Sequence, residues 1–298
     1  MECVVAVITR HNEDLEPLIA SCFEPGLRYL TVRNDARWVN GAWFTSEAKP
    51  FFAQLSATTT EVVLDNLMSV PRIDTHAEWI LAYIARGHAA EVWSFLGRRI
   101  LQDQRGRDSE GRYEAIPYQF HELPKVLSQD TASAVRVTRG LYTPDDALFQ
   151  FRGARLLGAM FPAFPGNLAR ELTALAATGT DDDVGFILQV LRAYQGQQTM
   201  HEVVKELVAR LPEDDPRLQV AEICLQSTGM VSGEFGFVEA YRTRKAQTET
   251  WLTDSRTQVR NFAKRFVRRL EQSIAAEQRR AEENKEMRRR HYEDPEKA

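Results

Sequence analysis

Apolar residues recur every three or four positions along most of the chain, the spacing that lines one face of a helix. Ser46 is placed to cap a helix holding Phe51, Phe52 and Leu55, and Val62, Val63, Leu67 and Met68 mark another over 59–69. Pro71 closes it, and Asp74 opens the next as an N-cap. There Ile73, Ala77, Ile80, Leu81 and Ile84 form one stripe that ends at Gly87. Val92, Trp93, Leu96 and Ile100 repeat the pattern over 89–103. Residues 105–116 are polar and carry Gly106 and Gly111, which predicts a loop. Helical spacing resumes near 120–128 and 130–139, then over 145–161, 167–177, 182–194, 198–211, 215–228 and 236–252. A long last helix runs from Asp254 toward Tyr292. Helices of this length joined by short turns predict an all-α protein of stacked antiparallel helical hairpins. The pattern divides the chain into a helical part at 1–104, the loop at 105–116, a stack at 117–275 and a charged helical tail at 276–298.

Two stretches read differently. The chain opens on an apolar run, Val4 to Ile8, and then helical material from Asp14 to Ala20, with no polar capping turn. Terminal repeats of a helical stack carry a polar outer face. The chain is therefore expected either to be cut from something longer or to dock on a partner at this end. In residues 28–44, Tyr29-Leu30-Thr31-Val32 alternates weakly, and Asn40-Gly41 lies between Arg37-Trp38-Val39 and Ala42-Trp43-Phe44. Asn-Gly between aromatic-bearing runs is a hairpin cue, so a short β-hairpin near 37–44 competes with continued helix.

Composition narrows the class. Of 298 residues, 43% are hydrophobic and 27% charged, which places the chain among folded rather than disordered sequences. Its 16 glycines and 12 prolines are too few for the turns of many short strands. Cys3, Cys22 and Cys224 are odd in number and lack CxxC spacing, against a disulfide framework or structural zinc; each is expected to be a small buried residue. A signal-peptide core, a membrane-length apolar run and an N-x-[ST] sequon are all missing from the sequence, so a cytoplasmic protein with no membrane contact is expected. The net charge of −4 hides an asymmetry. Residues 1–254 carry 25 Lys/Arg against 34 Asp/Glu, and residues 255–298 carry 13 against 8. A nucleic-acid contact would be sought in that last segment.

Helix starts near 145, 182, 215 and 255 are spaced as a two-helix repeat of variable length. Asp254-Ser255-Arg256-Thr257-Gln258-Val259-Arg260-Asn261-Phe262-Ala263 resembles the second-helix signature of HEAT repeats: an acid in the turn, then Val-Arg, then a small residue. The same register occurs from Asp146 to Ala154 with Arg152, and more weakly from Asp215 to Ala221, where Gln219 replaces the arginine. The resemblance spans about residues 145–275 and rests on a short, common motif. It implies a HEAT-like α-solenoid in which the aspartate caps its helix and the arginine reaches the aspartate of the adjoining repeat.

Catalytic signatures do not emerge. GxxxxGK[ST], GxGxxG and GxSxG are absent from the sequence. His201-Glu202 lacks the second histidine of a zincin helix, and His76-Ala77-Glu78 lacks the PCxxC of a zinc deaminase. Both are expected to be surface histidines beside an acid. Asp181-Asp182-Asp183 stands at a helix start and reads as charge complementing the dipole rather than as a cation site. No metal, cofactor or small-molecule substrate is expected.

Trp38, Trp43, Trp79, Trp93 and Trp251 are expected in packing, with Trp38 or Trp43 a binding anchor if exposed. In the last helix, Val259, Phe262, Ala263, Phe266, Val267, Leu270 and Ile274 form an apolar face. Arg256, Arg260, Lys264 and Arg268 step along one flank, with Arg265 and Arg269 on the far side. Beyond Ile274 the face gives way to a charged helix held by pairs such as Glu286–Arg290. The expectation is a non-enzymatic scaffold that binds another protein. HEAT-type stacks also occur as sensor or regulatory parts of large bacterial assemblies, including antiviral defence systems. The alternative is a helical-repeat protein that grips nucleic acid through Arg256, Arg260, Lys264 and Arg268.

Overall fold

The computed structural model describes residues 19–42, 48–105, 113–144, 147–228 and 231–293. Among them are fifteen α-helices, and the one β feature is an isolated bridge between Arg72 and Glu114. The protein is all-α, as the periodicity predicts. Residues 1–18 with Cys3, Trp43, Ser46, the loop glycines Gly106 and Gly111, and Asp146 lie outside the described residues. The chain divides into two compact units, Met1–Pro162 and Ala163–Ala298.

In the first unit a π-helical turn, Ile19–Phe23, leads into α1 (Glu24–Val32). Then follow α2 (Trp38–Ala42), α3 (Ala48–Ala53), α4 (Ala57–Leu67), α5 (Thr75–Ile84), α6 (Ala89–Arg105), α7 (Leu123–Leu127), α8 (Thr131–Leu141) and α9 (Ala147–Met160). Starts are set by side-chain oxygens that accept orphan amides. Ser56 takes the Thr59 N–H at 3.1 Å, Asp74 that of Ala77 at 3.0 Å and Asp130 that of Ser133 at 3.1 Å. Helix α1 packs on α4, α4 on α6, α6 on α8 and α8 on α9, while α5 receives α2, α3 and α7. Aromatic rings fill the first part of the core, with Phe23 edge-on to Phe51 at 5.5 Å and Trp38 stacked near Phe52 at 6.4 Å. Such pairs add about 0.5–1.5 kcal/mol each beyond area burial.

Three buried polar side chains hold the irregular segments of this unit. Arg99 is fully buried on α6. Its guanidinium donates to the carbonyls of Val70 (2.8 Å), Glu114 (2.8 Å) and Ala115 (3.0 Å), between the rings of Phe95 and Tyr113. Glu78 on α5 accepts the N–H groups of His121, Glu122 and Leu123 on one oxygen, supplying the start of α7 with its missing acceptor. Asn66 on α4 accepts from the Trp38 indole at 2.6 Å and donates to Thr31 Oγ1 and the Asp35 carbonyl.

The described part of the expected hairpin near 37–44 is not strand: Trp38–Ala42 is helical, and residues 43–44 lie outside the described residues. Asp35 accepts the Arg37 N–H and starts the turn, and Trp38 and Val39 both enter the core, which a two-stranded ribbon would not allow. Tyr29 to Val32 is likewise helix, not strand. Trp38, 2% exposed, is a packing residue, so the condition for an anchor is not met there. Cys22 is exposed, whereas Cys224 is buried and its thiol is pushed up to about 11 by burial.

The second unit contains α10 (Gly166–Thr178), α11 (Asp181–Ala193), α12 (His201–Arg210), α13 (Arg217–Gln226), α14 (Gly236–Glu249) and α15 (Thr257–Glu293). A capping box, Thr180 with Asp183, opens α11, so the acidic triplet acts at the helix start as expected. Helix α10 packs on α12, α11 on α13, and both α12 and α14 on α15. Val259, Phe262, Ala263, Phe266 and Leu270 are buried on α15, with the Phe262 and Phe266 rings stacked at 5.9 Å. Packing continues past Ile274, contrary to expectation. Ala281 is 5% exposed and Arg288 pairs with Glu234 at 3.1 Å.

His201 is not a surface residue. It is buried edge-on to Trp251 at 6.0 Å, and burial, aided by the charge of Arg244, pushes its imidazole from 6.5 down to about 4. Arg244 donates to the carbonyls of Gly196 and Ser227. Gly196 has φ +81°, and a side chain there would collide with the Ser227 carbonyl.

Two stability predictions follow from these buried groups. Arg99→Leu strands several carbonyls and should cost the first unit roughly 3–5 kcal/mol in urea unfolding, with Arg99→Lys intermediate because an ammonium cannot span the same fork. For His201 the folded value lies below the unfolded one. Between 6.5 and 4 the unfolded chain therefore binds a proton that the folded chain refuses. Stability should fall with pH across that window by up to about 1.4 kcal/mol per unit. Denaturant titrations at pH 7.0 and 4.5 should show this loss in the wild type and a smaller one in His201→Phe.

Candidate functional site

Helix α15 presents its basic flank because its apolar face is committed to α12 and α14. The four flank residues are not equivalent. Arg256 reaches Glu206 at 2.7 Å and grips Asp254 through Nε at 3.0 Å, and Lys205 joins the same aspartate at 3.0 Å. Arg260 folds back on the start of its own helix, donating to the carbonyls of Asp254 and Ser255, both at 2.7 Å. Lys264 and Arg268 are exposed, and among the described residues neither has an ion-pair partner. On the far side Arg265 pairs with Glu213, and Arg269 with the buried Glu222. Burial raises the Glu222 carboxyl above its usual range, and the two arginines oppose that shift.

The cross-helix arginine contacts come from an unexpected position. In Asp215-Pro216-Arg217 and Asp254-Ser255-Arg256 the aspartate accepts the arginine's N–H, at 2.8 and 2.9 Å, while the guanidinium turns back onto the carboxylate. The same clamp forms at Asp35-Ala36-Arg37. Each one immediately precedes a helix: α13, α15 and α2. In the first two the arginine also reaches an acid on a preceding helix, Asp181 for Arg217 and Glu206 for Arg256. The bridge is thus made two residues after the aspartate, not six, and Arg260 takes no part in it. Hydrogen bonds from the clamping arginine hold Asp215 and Asp254 well below the usual carboxylate range, and Asp35 at about 2.

Two features of the first unit lie outside these internal contacts. Helix α1 buries Leu27 at its inner side, below Phe23 of the preceding turn, yet its outer side is also apolar, with Pro25, Tyr29 and Val32 in register. Tyr29 is 58% and Val32 86% exposed, and the Arg33 guanidinium lies 4.6 Å over the Tyr29 ring. Beside α1, an open cleft of about 770 Å³ runs between the Arg33–Arg37 turn and the Ser69–Arg72 segment. Arg33, Arg37 and Arg72 line it, with Asn34 and Asn40 as amide donors and Val39, Val70 and Pro71 as apolar surface.

Sequence reasoning missed both features. The signal for the first is visible in retrospect: Phe23-Leu27-Leu30 and Pro25-Tyr29-Val32 are two helical stripes, and interleaved they imitate strand alternation. The cleft brings together residues more than thirty positions apart, and local spacing carries no trace of it. No family model matches the chain, and no curated protein matches it.

The division of the α15 flank can be tested by stability. Arg256→Gln with Arg260→Gln removes internal contacts and should lower the unfolding midpoint measurably. Lys264→Gln with Arg268→Gln should leave it within about 0.5 kcal/mol, the range of ordinary surface changes. Alanine at Phe262, Phe266 or Leu270 should cost ~2–5 kcal/mol each.

Proposed function

We propose that the protein is a macromolecular interaction scaffold of HEAT-like helical hairpins whose primary partner is another protein. Support for the hairpin array comes from next-but-one packing: α4 on α6, α6 on α8, α10 on α12 and α11 on α13. Stacked hairpins produce this pattern. The observation that carries the partner reading is the outer face of α1. A helix apolar on both sides is ordinarily buried on both sides, and this one leaves Tyr29 and Val32 in solvent beside Arg28 and Arg33. Tyrosine and arginine are enriched where partners bind most strongly. Nucleic-acid binding through α15 is the second reading, favoured by the outward Lys264 and Arg268. It is weakened because Arg256 and Arg260 are held by groups of the same unit.

A photo-crosslinking residue at Val32, introduced in the native cell, should give a protein adduct of discrete mass that the same residue at exposed Arg170 does not. Tyr29→Asp with Val32→Asp should abolish that complex without lowering the melting temperature. Identical adducts from both positions, or a complex that survives the double variant, would overturn the protein-partner reading. Retention on duplex DNA at low salt that falls when Lys264 and Arg268 become glutamine would establish the second reading instead.

A further inference from the structure

The cleft beside α1 has built walls and a lining with one more arginine than aspartate. Its Arg33–Arg37 turn is fixed from behind by the buried Asn66, which donates to the Asp35 carbonyl at 3.2 Å and accepts from Trp38. The backbone N–H groups of Arg33, Asn34 and Asp35 close onto the end of α1, and Asn34 takes a left-handed φ of 52°. The opposite wall is fixed too, because the Val70 carbonyl accepts from Arg99 and the Pro71 carbonyl from the Glu114 N–H. Both walls are therefore anchored by buried contacts, and the Asp35–Arg37 clamp stiffens the first of them.

The charges inside do not cancel. Asp35 is matched by Arg37, which clamps it. Asp74 accepts the Ala77 N–H at the start of α5 and keeps its negative charge, so the lining holds three arginines against two aspartates, one positive charge in excess. Among the described residues neither Arg33 nor Arg72 has an ion-pair partner. A guanidinium offers a planar fork that suits phosphate, and two of them with nearby amides suit more than one phosphate oxygen. The volume, about 770 Å³, falls within the roughly 300–1,000 Å³ of small-molecule sites. That is more than an inorganic anion would fill. The exposed Pro71 and the edges of Val39 and Val70 offer apolar surface to an organic body.

We infer that this cleft is a binding site for a small organophosphate, with Arg33 and Arg72 taking the phosphate and the Val39–Val70–Pro71 surface taking the organic part. The site adjoins the outer face of α1 and shares Arg33 with it, whereas Arg72 and the Val39–Val70–Pro71 surface belong to the cleft alone.

Calorimetric titration of the full chain at low salt with pyrophosphate, ADP and citrate tests it. ADP should bind, more tightly than pyrophosphate and at least tenfold more tightly than citrate. Affinity should weaken as salt is raised. Arg33→Gln with Arg72→Gln should reduce ADP affinity at least tenfold, with an unchanged circular dichroism spectrum and melting temperature. Asn40→Asp adds a carboxylate to the cleft without altering either arginine, and should weaken binding in the same direction. The inference is overturned if the wild type binds none of the probes, or if the double variant binds ADP as the wild type does. Citrate binding equal to ADP binding would refute the phosphate assignment, and pyrophosphate binding equal to ADP binding would refute the role of the apolar surface.

Discussion

Where a helix stops inside a packed unit, its last carbonyls or first amides lose their partners, and burial forbids water from replacing them. That constraint governs this fold more than any single apolar contact. Arg99 meets it at the end of α4, where the Val70 carbonyl would otherwise be stranded, and extends the same guanidinium to the 114–115 segment. Glu78 meets it at the start of α7 by taking three amides on one oxygen. In the second unit Arg244 meets it at the carbonyls of Gly196 and Ser227, and the Gln197 side chain takes the Phe164 N–H at 2.6 Å. Each of these side chains reaches a segment far from it in sequence. The irregular stretches are thus positioned by donors and acceptors, while the apolar stripes hold the helices together.

The same requirement draws several of the protein's arginines into internal contacts. A carboxylate or carbonyl near a helix start recruits the nearest guanidinium, and the Asp-x-Arg clamps do this at α2, α13 and α15. They stiffen the turn before the helix and, at Arg217 and Arg256, tie it to a preceding helix. Against that background the two arginines of the cleft are placed differently. Arg33 lies over an exposed tyrosine and lines a cleft, and Arg72 faces it across the same cleft.

Helices were legible wherever a single apolar stripe met a capping residue. Asp74, Asp130 and the Thr180–Asp183 pair start helices where local chemistry says they should. The inner face of α15, from Val259 to Leu270, is buried as its spacing requires. Legibility failed for specific physical reasons. Two stripes on α1 imitated a strand, and Asn40-Gly41 suggested a hairpin because the pull of Trp38 into the core is a tertiary effect. His201 looked like a surface residue because its polar neighbours in sequence point elsewhere; its burial against Trp251 depends on residues fifty positions away. Arginine partners are the least legible of all, since a guanidinium on a long stem can choose among acids that only the fold brings near.

This last point bears on how charge in a sequence should be weighed. The C-terminal 44 residues carry five more basic than acidic groups, which by itself suggests a polyanion partner. Yet Arg256, Arg265, Arg269 and Arg288 are each paired with an acid from outside that segment: Glu206, Glu213, Glu222 and Glu234. These four glutamates belong to the stretch whose own balance is acidic. The asymmetry between the two parts of the sequence is thus largely the signature of one part folding against the other. A phosphate backbone would meet only what this pairing leaves exposed, and on the flank first marked out by sequence that is Lys264 and Arg268. Two cations one helical turn apart support a modest, strongly salt-sensitive contact, far less than the run of basic residues promised.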